Sequence, residues 1–158
     1  MQKITPCLWY DRDAEAAAKL YCSIFPNSKI KQVTPYPEGS MLPAGTAMMV
    51  IFDLDGQEFL AMNAGPHFKF TEATSFLIHT EDQAETDRLW NALIADGGEE
   101  SMCGWLKDRF GLSWQVTPTR LMELMSDPDR NKAARVSAAM MTMRKIDIAK
   151  LEEAAAAA

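Results

Sequence analysis

Two imidazoles, His67 and His79, and three thiols, Cys7, Cys22 and Cys103, are the side chains of this 158-residue chain best suited to chemistry near neutral pH. An unperturbed imidazole titrates near ~6.5, which suits a general base working at neutrality. His79 lies in "TSFLIHT" (residues 74–80) with the same alternation as Ser75 and Leu77, so the three share one face of an expected strand. His67 lies in the loop "GPHFKF", and for both histidines a solvated or hydrogen-bonded structural role competes with a catalytic one. The cysteines are odd in number and widely spaced, without the paired spacing of a zinc site or a redox dithiol. Cys7 becomes a nucleophile only where something lowers its pKa, and the sequence shows no such group. No catalytic residue is assigned on these grounds.

A second cluster is the stretch "GWLKDRFGLSWQVTP" (residues 104–118), which reads as two strands around a turn. With residues 108–111 as the turn, Lys107 pairs with Leu112, Leu106 with Ser113, Trp105 with Trp114 and Gly104 with Gln115. Paired residues share a face, so the tryptophans are expected together as a structural pair. Ser113 and Gln115 then point the other way, toward a ligand.

The elements that position these groups follow from the periodicity. "ITPCLW" (residues 4–9) alternates as a strand, after which Ala17, Leu20, Tyr21, Ile24 and Phe25 form the stripe of a helix over residues 13–25, ended by Pro26 and Asn27. Three strand-like runs follow, "KIKQVTPY", "TAMMVIFDL" and "EFLAMNAG", the last two joined by the hairpin signal Asp55-Gly56. The second half repeats the order: "TSFLIHT", a helix over residues 82–96 with the stripe Thr86, Leu89, Trp90, Leu93 and Ile94, then "EESMC", "GWLK" and "LSWQV". Each residue of that stripe lies 69 positions after its counterpart, a faint internal repeat. Beyond it, Thr117 with Pro118 and Asp127 with Pro128 signal two short helices, and Asp147 a last Ala-rich one.

Composition bounds the partners. Sixteen basic against 22 acidic residues give a net charge of −6 with no basic run, which repels a phosphate backbone and argues against nucleic acid. No apolar run reaches membrane-spanning length, and the N-terminal segment lacks the apolar core of a signal peptide, so a cytoplasmic protein is expected. The 47% of apolar residues suffices for an ordinary core.

"ITPCLWYDRDAEAAAKLYCSIFPNSKI", "NAGPHFKFTEATSFLIHTED" and "CGWLKDRFGLSWQVTP" closely resemble the PhnB-like branch of the vicinal oxygen chelate superfamily, a branch labelled as demethylubiquinone methyltransferases. The resemblance implies an α+β fold of two βαβββ units with C-terminal helices: one domain over residues 1–158, with halves at 1–66 and 72–117 and a helical tail at 118–158. In metal-using members, concave sheet faces hold one divalent ion between ligands from the first and last strands of each half. Aligned by strand, those places here are Thr5 or Pro6, Asn63 or its neighbour Met62, Ser75, and Gln115. None is a histidine, thiolate or carboxylate, so no metal and no cofactor are expected. The methyltransferase label finds little support, because the segment after the first strand, "WYDRDAE", has no glycine to approach S-adenosylmethionine. The resemblance thus implies a binder of a small apolar or aromatic molecule, with Thr5, Cys7, Asn63, Ser75, Leu77, His79, Ser113 and Gln115 as its candidate contacts. An enzyme of the superfamily, or the methyltransferase of the label, is the alternative. A homodimer is expected, since many relatives build the pocket between chains.

Overall fold

Alanines at positions 14, 17 and 18 leave room for a helix to lie close on a sheet, and that is how the first half is built. In the computed structural model, which describes residues 2–157, the chain forms two compact units, Met1–Phe70 and Thr71–Ala158. The first contains β1 (Cys7–Tyr10), α1 (Ala14–Ile24), β2 (Lys29–Pro35), β3 (Ala47–Leu54) and β4 (Gln57–Asn63), in the sheet order β1-β4-β3-β2 with β1 parallel to β4. The side of α1 that carries Ala14, Ala17, Ala18, Tyr21 and Ile24 is buried. It meets Leu8, Val50, Phe52 and Ala61, also buried. Tyr21 leans on Phe52, which stacks on Phe59 at 5.6 Å, and the Tyr10 and Tyr21 hydroxyls share a hydrogen bond of 3.1 Å. Asp55 and Gly56 close β3 onto β4 with φ of 46° and 80°, the left-handed pair that a two-residue hairpin of this type requires.

The second unit repeats the plan with β5 (Ser75–Thr80), α2 (Gln83–Ile94), β6 (Glu99–Glu100), β7 (Trp105–Lys107) and β8 (Ser113–Pro118), ordered β5-β8-β7-β6 with β5 parallel to β8. Asp82 caps α2 by accepting the Glu85 amide, and Thr86, Leu89, Trp90 and Leu93 are its buried residues. α3 (Thr119–Met125), α4 (Arg130–Met140) and α5 (Ile148–Ala156) complete this unit. Leu121, Leu124, Val136, Met143, Ile146, Leu151 and Ala155 form their common core. Two expected caps shift. Thr117 is still in the β8 ladder opposite His79, which leaves Pro118 as the N-cap of α3. At α4 it is Asp129, not Asp127, whose carboxylate accepts the amides of Asn131 and Lys132. Asp147 caps α5 as expected.

The hairpin register is one residue away from expectation. Trp105 pairs with Gln115, Leu106 with Trp114, and Lys107 with Ser113, so the two tryptophans are on opposite faces. The cause is at the turn, where the Asp108 amide donates to the Leu112 carbonyl at 2.9 Å and the Gly111 amide to the Asp108 carbonyl at 2.9 Å, with Gly111 at φ 89°. Asp108 and Leu112 thus face each other across a three-residue loop that ends in a left-handed glycine bulge. The Asp108 carboxylate holds that loop: it accepts from the amides of Phe110 and Leu112 and, at 2.9 Å, from Trp114 Nε1. Trp114, buried against Phe76, is a structural residue, and Trp105 is not its partner.

Candidate functional site

In each unit the helix covers one face of the sheet and the ladder fixes what the opposite face presents. In the first unit that open face carries Cys7 and Trp9 of β1, Leu60 and Met62 of β4, and Met49 and Ile51 of β3, as the register requires. The Cys7 thiol donates to Met62 Sδ at 3.7 Å, and burial pushes its pKa up, away from a reactive thiolate. Thr5 Oγ1 donates to Glu58 Oε1 at 3.4 Å, and Lys31 bridges Glu58 and Asp53 at 2.6 and 3.3 Å. Asn63 departs from expectation. It points to the helix side, 1% exposed, where its amide oxygen accepts the Ala14 amide at 2.9 Å and its nitrogen donates to the Ala47 carbonyl at 2.9 Å. It therefore moors the start of α1 to the sheet, buried on the side away from the open face; Met62, its neighbour, takes the open face.

In the second unit, Ser75, Leu77 and His79 of β5 lie in register with Ser113, Gln115 and Thr117 of β8, and Trp105 and Lys107 of β7 lie beyond them. The structure brings Ser75 and Gln115 together, Gln115 Nε2 donating to Ser75 Oγ at 2.9 Å. Leu77 and His79 are exposed. Ser113 is 1% exposed, and its hydroxyl has no hydrogen-bond partner among the described residues. Trp105 and Lys107 join this face and not the opposite one expected for them; the signal that locates them is Gly111, whose bulge adds the residue that shifts the register.

The carried-over metal positions do not fit a divalent ion. Thr5 is engaged with Glu58, the Asn63 amide is consumed at α1, and Ser75 and Gln115 are neutral oxygen and nitrogen groups bonded to each other. Among the described residues no three histidine, cysteine, aspartate or glutamate side chains gather so as to hold a metal ion. S-adenosylmethionine finds no glycine-rich turn either, since residues 11–13 lead from β1 into α1 without one.

Two repeated βαβββ units, each with its first strand parallel to its last, define a glyoxalase-fold protein of the vicinal oxygen chelate superfamily. Within that class, the chain belongs to the PhnB-like family described as 3-demethylubiquinone-9 3-methyltransferase, whose profile matches residues 2–117. A PhnB protein from Bacillus cereus carrying the same methyltransferase label is 34% identical over 75% of this chain and 100% of its own, with a TM-score of 0.70. Protein PA1353 from Pseudomonas aeruginosa is 22% identical over 75% of this chain and 98% of its own, with a TM-score of 0.62, and shares the fold. No curated protein matches the chain. The helical tail lies outside the matched residues.

Proposed function

We propose that the protein is a metal-free binder of a small, mostly apolar or aromatic molecule, and that the open face of the second unit is its contact surface. The observation that carries this reading is the Gln115–Ser75 hydrogen-bonded pair set among the exposed Leu77 and the half-exposed Trp105. Small-molecule sites combine apolar surface with a few fixed polar groups in this way. Neutral donors of this kind orient a ligand by hydrogen bonding and hold a cation poorly, so the same residues that argue against a metal enzyme argue for recognition. His79 is on the same strand face and exposed, and no hydrogen bond or ion pair of its ring is found among the described residues.

The test is a thermal-shift survey with uncharged one-ring and two-ring aromatic fragments, with S-adenosylmethionine run beside them, since a ligand that binds only the folded chain raises Tm by mass action. At least one fragment is expected to raise Tm, with the gain reduced in Gln115→Ala. A shift with S-adenosylmethionine and none with the fragments would replace this reading by the methyltransferase one.

A further inference from the structure

On the same face, one alternation step along β8 from Gln115, a cleft of about 150 Å³ opens beside Ser113, wholly within the second unit. A cavity of that size accepts a ligand about as large as a single six-membered ring. Its lining includes Glu72, Glu99, Glu100, Trp105, Lys107 and Ser113. Glu72 and Glu99 against Lys107 leave one negative charge in excess on this face, since Glu100, opposite the buried Leu106 in the ladder, turns its carboxylate to the helix side.

The charges are not equally available. Glu72 holds Lys107 at 2.5 Å, and Glu100 accepts the Trp90 indole N–H at 2.9 Å. Glu99, exposed and directly across the ladder from Lys107, makes no salt bridge of its own among the described residues. Lys107 is committed to Glu72, whose hydrogen bond keeps the ammonium charged, so the cleft has no free cation with which to attract an anion. The second observation is independent of charge. The Ser113 hydroxyl is a buried polar group without a partner, an arrangement that costs stability and that a ligand bearing a donor would relieve. The third is Trp105, whose half-exposed indole offers an aromatic face for a cation.

We propose that this cleft takes a small primary or secondary organic ammonium, which donates an N–H to Ser113 Oγ and sets its charge between Glu99 and the Trp105 ring. The assignment rests on the binder reading above and narrows it to a ligand with an aromatic or apolar body and a cationic head. A bare metal ion is not the occupant, because the carboxylates do not converge as a ligand set.

Three probes of one shape and different charge test it: benzylammonium, benzyl alcohol and benzoate, each titrated at millimolar concentration into the 15N-labelled full chain, with the Trp105 indole signal assigned through Trp105→Phe. Benzylammonium is expected to shift the Trp105 indole and the Ser113 amide and to bind about tenfold more tightly than benzyl alcohol, while benzoate leaves both unmoved. Glu99→Gln should weaken benzylammonium several-fold, with more salt sensitivity in the parent than in the variant. Ser113→Ala should weaken it too while raising the Tm of the free protein, an opposition that a purely structural role for Ser113 would not give. Equal binding of benzyl alcohol or benzoate at these signals would overturn the cationic class and leave the binder reading standing. No shift with any probe would overturn the cleft as a site, and the binder reading would then be decided by the uncharged fragments and Gln115→Ala alone.

Discussion

At the scale of single residues, the two tryptophans of the hairpin lie on opposite faces, one in the core and one on the open side of the sheet. Trp114 is 3% exposed and its indole N–H satisfies the buried Asp108 carboxylate, so Trp114→Ala removes a core side chain and leaves a charge short of a donor. It is expected to cost about 3 to 5 kcal/mol in urea unfolding. Trp105→Ala, on the open face, should change stability by no more than about 1 kcal/mol. Equal costs for the two would contradict the observed register. Gln115→Ala should also leave the unfolding midpoint nearly unchanged, since among the described residues its amide bonds only the half-buried Ser75. That Ser113 and Gln115 share a face was legible in the sequence, because alternation along a strand is fixed by backbone geometry, while Ser75 joined them only through the family resemblance. Which tryptophan accompanies them was not. That depends on one left-handed glycine, Gly111, and on a carboxylate that folds back onto its own loop, neither of which changes the pattern of apolar residues.

At the scale of elements, β4 shows why the candidate Asn63 was aimed at the wrong face. Phe59 and Ala61 point to the helix and Leu60 and Met62 to the open side, so both faces are apolar and the alternation carries no sign of which is which. Asn63→Ala removes an acceptor for the Ala14 amide and a donor to the Ala47 carbonyl, both buried, and is expected to cost about 1 to 3 kcal/mol. Denaturation that leaves α1 as stable as in the parent would refute this mooring role. The tail gives a second element-scale expectation. Arg120 clamps Glu152 and so ties α3 to α5, and Lys132 bonds Asp127 at 2.7 Å. Hydrogen bonds from Arg120 and Lys132 hold the Glu152 and Asp127 carboxyls below the ordinary carboxylate range. A carboxylate depressed in the folded state stabilises fully above its unfolded pKa of about 4 and loses that contribution as pH falls through the lower folded value. Unfolding midpoints should therefore fall below about pH 4 from this source, and Glu152→Gln should flatten that part of the curve. The effect will be small and weakened by salt, because the Arg120–Glu152 pair is open to solvent and the Lys132–Asp127 pair is only partly buried. An acid limb unchanged by Glu152→Gln would remove this pair from the account.

At the scale of the whole molecule, the repeated strand–helix–three-strand order was legible because a change of hydrophobic period from two to 3.6 survives almost any choice of side chain, whereas which side chains gather on the open face of the second sheet was legible only in part, because it depends on the register of one hairpin. The neutral donor set leads to a first expectation: elemental analysis of protein purified without chelator should find no stoichiometric metal, and one zinc, iron, nickel or manganese per chain retained through dialysis would count against the binder reading. The second concerns what covers the sheets. The first sheet ends in β1 and β2 and the second in β5 and β6, and strand edges of this kind are usually protected by pairing or packing. Ile4, Phe68, Leu77 and Met141 are left exposed, whereas Met143 is taken into the tail's own core and Met140 packs against it, so the methionines of the tail are only partly available for contact with a second chain. A symmetric dimer buries such edges and apolar groups at once by presenting the same surface from both copies. Light scattering at micromolar concentration is expected to give twice the chain mass of 17.6 kDa, with the value holding on dilution. A mass of one chain across that range would show that the exposed edges and faces are tolerated in a monomer, and the ligand would then have to be held by a single copy.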